Sequence, residues 1–140
     1  MPFQKQIPFL LLTLFSISNS FTQELKEHLW KQRVLLVTSS DSLLLKKQVA
    51  ILLKELPGLT ERKLIVYKVT PKMYFKGIKN NDSASLPSNY SQIKKTSESF
   101  EIILIGLDGS VKLRETKTLK PEKLFTLIDG MSIRRQELRN

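Results

Sequence analysis

Three arginines, Arg134, Arg135 and Arg139, stand within six positions of one another, behind Asp129. A guanidinium is a planar fork that grips carboxylates and phosphates through paired hydrogen bonds. The cluster could therefore read an anion. It could equally turn inward, with Arg134 or Arg135 gripping Asp129 or Glu137 and tethering this segment to the rest of the chain. If a helix runs through residue 139, Arg135 and Arg139 share one of its faces.

Four other places carry chemistry-bearing side chains. Thr38-Ser39-Ser40-Asp41 lies where a strand would hand over to a helix. Free amides at a helix start can hold an anion. Asp41 would compete for those amides and repel negative charge, so plain capping by Asp41 is the better reading. Lys112 and Arg114 alternate with Val111 and Leu113 and so share one strand face. That face is either a small basic strip or, more simply, a solvated outer surface. His28 is the only histidine and there is no cysteine, so a metal site lacks ligands and His28 reads as a surface residue. Trp30, three residues ahead of Arg33, reads as a packing residue within reach of a cation–π contact. Gly77 and Gly106 stand alone rather than in a glycine-rich phosphate loop, and no cofactor is expected.

The bulk chemistry narrows the classes. The 140 residues suit one domain, and 41% hydrophobic with 26% charged residues is ordinary for a globular fold. Without cysteine there is no thiol redox chemistry, no cysteine nucleophile, no disulfide and no lipid-modified cysteine. A net charge of +10 raises the encounter rate with any polyanion. Residues 1–20 have the layout of a secretory signal peptide: Lys5 near the start, an apolar stretch over 7–17, then Ser18, Asn19 and Ser20. The apolar stretch is too short to span a bilayer. The expectation is an exported chain, cut after Ser20, with residues 21–140 as the domain. Outside the cytoplasm the matching partners are acidic polysaccharides, lipid head groups or an envelope protein, and nucleic acid is disfavoured.

Periodicity supplies the elements that would position these groups. Leu25 and Leu29 indicate a short helix over 23–32. The run RVLLVTS reads as a buried strand over 33–39, followed by a helix over 42–56 that Pro57 and Gly58 stop. Leu45, Val49, Leu52, Leu53 and Leu56 form the apolar face of that helix, with Lys46, Lys47 and Lys54 off it. A second strand covers 63–69. Residues 70–87 read as a mobile surface insertion, and a short helix is expected at about 89–96. FEIILI over 100–105 and VKLRE over 111–115 are strands joined by Asp108-Gly109, a turn in which glycine supplies the positive φ. A last helix covers 120–130, with Pro121 in its first turn. A strand-helix-strand half followed by a strand-strand-helix half matches an α/β thioredoxin-like sandwich: a central four-stranded mixed sheet flanked by helices.

Several phrases taken together, LWKQRVLLV, ERKLIV, LIGLDGSVKLR and LFTLIDGMSIRRQELR, resemble the domain of unknown function 4174 family over about residues 25–139. The resemblance implies a thioredoxin- or peroxiredoxin-like fold without redox cysteines. It also implies kinship with vertebrate extracellular-matrix domains associated with adhesion and with matrix polyanions. Judged by the resemblance, the spacing of the arginines favours the tether. The chain departs from the family at Met131, Ser132 and Ile133, where Met-Pro-Met is usual, and loses a fixed φ there. The expected function is a non-catalytic binding or adaptor module with a basic surface. The alternatives are a cysteine-independent enzyme using Asp41 or Asp129 with a nearby arginine, and a structural partner of an envelope protein.

Overall fold

The computed structural model describes residues 21–85 and 98–140. The signal segment expected at 1–20 and the helix expected at 89–96 lie outside the described residues. A short helix α1 (Phe21–Lys26) leads to β1 (Arg33–Ser39), α2 (Ser42–Leu53), α3 (Leu56–Glu61) and β2 (Leu64–Val69). Then come β3 (Met73–Lys76), β4 (Ser83–Ser85), β5 (Phe100–Ile105), β6 (Val111–Glu115), α4 (Pro121–Asp129) and α5 (Ser132–Arg139). No helix among the described residues is long and apolar enough to cross a membrane.

The sheet is mixed and has six strands in the order β4-β3-β2-β1-β5-β6. β1 lies parallel to β2, and every other neighbouring pair is antiparallel. The four strands expected from the apolar runs form the β2-β1-β5-β6 part. Two more, β3 and β4, extend it from the stretch expected as a surface insertion. Both are short: β3 (MYFK) offers three apolar residues in a row and β4 (SAS) one, too few for an alternating signal.

Alternation along each strand sorts side chains onto two faces. Leu35, Val37, Leu64, Val66, Ile102 and Leu104 meet Leu52 of α2, Leu59 of α3, and Leu124 and Ile128 of α4. Val34, Leu36, Tyr67, Val69, Tyr74 and Ile103 form the smaller core on the other face, with Leu25 of α1 packed against it.

The helix expected over 42–56 is two helices. α2 ends at Leu53, and Pro57 lies in the first turn of α3, where its missing N–H costs nothing. The apolar face of α2 is also divided: the residues it buries are Gln48 and Leu52. Gln48 is fully buried because its carboxamide mimics a backbone, donating to the Leu119 carbonyl at 2.9 Å and accepting from the Leu119 amide at 2.7 Å. At the β5–β6 turn Gly109 has φ +79°, which favours glycine, and a Cβ there would also have to displace the Leu29 side chain, whose Cδ2 would lie 2.6 Å away. The helix expected over 120–130 is α4, and a further helix follows it. The chain turns at Gly130, Met131 is extended, and Ser132 begins α5 at the position where proline was the expected residue.

Candidate functional site

The arginine cluster closes one end of the sheet, at the starts of β1 and β2. Arg134 is 4% exposed. Its guanidinium donates to the Glu61 carboxylate at 2.9 Å, to the Glu61 carbonyl at 3.3 Å and to Asp129 Oδ1 at 3.3 Å, and it reaches Glu137 at 3.5 Å. Burial works against its charge, but the hydrogen bonds to these carboxylates prevail and raise its pKa. Arg62 holds Asp129 with both prongs, Nε to Oδ1 at 3.0 Å and Nη2 to Oδ2 at 2.8 Å, while its guanidinium lies 4.1 Å from the centre of the Phe125 ring. Arg33, 1% exposed, reaches Glu137 at 3.3 Å and the Arg62 carbonyl at 2.9 Å. Hydrogen bonds from Arg62 and then Arg134 hold the Asp129 carboxyl below the usual range. Arg134 is thus a tether. Arg135 and Arg139 lie on the exposed side of α5, carry no ion pair, and line an open depression of about 390 Å³.

The other expected site residues separate in the same way. Lys112 pairs with Asp108 across the turn at 3.1 Å. Asp108 is held down at about 2, chiefly by the backbone and hydroxyl of Ser110. Arg114 is not a solvated cation, because it bonds at 2.9 Å to Glu101, which is fully buried on the same face of the sheet. Trp30 corrects its expected role: it is 66% exposed with φ 62°, and among the described residues the arginine that lies over an aromatic ring is Arg62, over Phe125, rather than Arg33 over Trp30. Asp41 caps α2, accepting from the Leu43 and Leu44 amides at 2.9 and 3.3 Å. Asp41 and Asp129 lie at opposite ends of the sheet, each engaged by donors, and do not form a paired acid and base.

His28 is the clearest correction, being 6% exposed rather than on the surface. Its Nδ1 faces Gln32 Oε1 at 2.8 Å and its Nε2 faces the Tyr67 hydroxyl at 2.7 Å. A carboxamide oxygen only accepts, so Nδ1 carries the proton and Nε2 accepts from Tyr67. Alongside, the Tyr74 hydroxyl donates to Glu24 at 2.6 Å and Lys76 pairs with Glu24 at 3.3 Å. Burial pushes the Tyr74 phenol to about 12, helped by its bond to Glu24, and pushes Tyr67 higher still. These groups pin α1 and the loop after it to the smaller core. Nothing in the spacing of His28 and Tyr67, 39 residues apart, announces the contact.

Burial lowers the pKa of His28 below 6.5. The unfolded chain therefore binds this proton more readily than the folded one. The stability His28 contributes is whole above about pH 6.5 and is lost as the pH falls through the folded value. Because His28 is the only histidine, unfolding midpoints in urea should fall between about pH 7.5 and 5.5, a range in which no other side chain titrates normally. His28→Gln should flatten that dependence.

All thirteen acidic residues lie among the described residues, so the cations left over can be identified. Arg33, Arg62, Lys63, Lys76, Lys112, Arg114, Lys123 and Arg134 are in ion pairs. Lys46 and Lys47 of α2, its C-cap Lys54, Lys68 of β2, and Lys72 and Lys79 flanking β3 are in none, as are Lys26, Lys31, Lys117, Lys120, Arg135 and Arg139, and all of these but Lys68 are exposed. The arginines mostly serve the fold, while this group of lysines remains for solvent or a partner. The sequence leaves the arginines open between anion site and tether, with the tether favoured, and charge counting does not show which cations are already matched.

The family described as Domain of unknown function (DUF4174) matches residues 24–137. No curated protein matches the chain.

Proposed function

The chain belongs to the DUF4174 family, and from that premise we propose that it is an exported, non-catalytic, thioredoxin-like binding module whose lysine surface engages polyanions. The order β2-β1-β5-β6, with β1 and β2 parallel and joined through α2, supports the thioredoxin-like part of the reading. The apolar segment at 7–17 and the small residues behind it support export. The observation that carries the binding reading is the segregation of charge, with Arg33, Arg62, Arg114 and Arg134 consumed internally and Lys46, Lys47, Lys54, Lys72 and Lys79 exposed without acidic partners. Acidic polysaccharide and anionic head groups in an envelope or matrix are the matching ligands.

Charge attraction of this kind is screened over about 8–10 Å at ordinary ionic strength. Retention on heparin or on anionic liposomes should therefore be firm at low salt and weak at moderate salt. Lys46→Glu, Lys47→Glu and Lys54→Glu together reverse three exposed charges on one helix and should release the protein at markedly lower salt. Retention that ignores salt, or ignores the triple substitution, removes the basis of the proposal.

A further inference from the structure

We propose that the groove between α2 and the β2–β3 edge of the sheet binds the alkyl chain of a long-chain fatty carboxylate. The inference names a ligand class for one part of the lysine surface, and it rests on the polyanion reading only for the sign of the head group.

The argument begins with the register of β2. Leu64 and Val66 point to the helix-covered face, and the next residue on that face is Lys68. A lysine continues a series of core positions. It is half-buried, and burial lowers its pKa. Its amine donates to the Asn80 carbonyl at 2.8 Å and lies 5.2 Å from the ring centre of Phe75, its neighbour across the strands. It has no carboxylate partner, so an ammonium with three donors has capacity left. The facing wall is α2, where Leu45, Val49 and Leu53 recur at helical spacing and Lys46 stands beside them. Gln48 and Leu52, with Leu44 and Leu45 packed beside them, supply the core contacts of α2, which leaves Val49 and Leu53 to face the groove.

The groove has a volume of about 370 Å³. That is near the lower end of small-molecule clefts, roughly 300–1,000 Å³, and suits one alkyl chain better than two. A polysaccharide would leave the apolar walls unused, and a neutral hydrocarbon would leave the amines unused. A molecule with one apolar chain and one anionic head uses both.

The test is calorimetric titration of the protein with octanoate, decanoate and dodecanoate below their micelle concentrations, and with decanol. Each buried methylene contributes about 0.8 kcal/mol, so affinity should rise about 15-fold for every two carbons. Decanoate should bind more tightly than decanol, and Lys68→Met should erase that preference. Ala50 is exposed and lines the groove, so Ala50→Phe fills it from the surface. This variant should lose dodecanoate while keeping its melting temperature and its heparin retention. Leu53→Glu provides a second obstruction should Ala50→Phe melt early. Affinity independent of chain length, or an obstructed groove that titrates like the parent, overturns the proposal. Dodecanoate binding with no heparin retention supports the groove and removes the polyanion reading instead.

Discussion

Replacing Arg134 with alanine is expected to lower the free energy of unfolding by about 3 kcal/mol, read from urea denaturation. Removing one member of a buried ion network typically costs about 3–5 kcal/mol, because the remaining charges keep their desolvation penalty and lose their partner. Arg134 falls toward the lower end because its partners are shared. Asp129 keeps the two-pronged grip of Arg62, and Glu137 keeps Arg33 and Lys63. Glu61 is largely exposed and returns to water. Arg135→Ala, one residue away on the solvent side of the same helix, should change stability by no more than about 0.5 kcal/mol. Equal losses from the two substitutions would contradict the tether.

The second large effect is expected at Arg114. Its partner Glu101 is fully buried on the sheet, and the guanidinium reaches it from β6 at 2.9 Å. Arg114→Ala takes a charged partner from a carboxylate buried in the sheet, and a loss of about 3 kcal/mol follows. The pair as a whole is a different matter. Buried ion pairs replaced on both sides by apolar groups of similar volume are often neutral or more stable. Glu101→Met combined with Arg114→Met should therefore recover most of the loss. A double variant as unstable as the Arg114→Ala single would show that the cost comes from packing of the long side chain and not from the lost charge pairing.

How much of this could be read from sequence depends on how local each cause is. β1, β2 and β5 are legible because each carries its own apolar run, β6 because it alternates behind a turn, and the Asp41 cap and the Asp108-Gly109 turn because each acts within four residues. β3 and β4 have no such run and gain their strand character from the neighbour they pair with. Pro57 was read as a terminus, although the same missing N–H suits the first turn of a new helix. Gln48 and His28 look like surface residues because their partners, Leu119 and Tyr67, lie 71 and 39 positions away. Arg134 and Arg135 are identical in type and adjacent in sequence. What separates them is about 100° of rotation on α5, which follows from the helical repeat but cannot be assigned to core or solvent until the helix is docked.

The contact between Arg33 and Glu137 spans 104 positions, and this bears on how the protein is made. At about 5–20 residues per second, the ribosome releases residue 137 about 5–20 s after residue 33. Throughout that interval β1 has its neighbours arriving one by one, but the clasp at the foot of the sheet is missing. Newly made chains accordingly pass through a period of loose closure, with the sheet formed in part and its two ends not yet locked together.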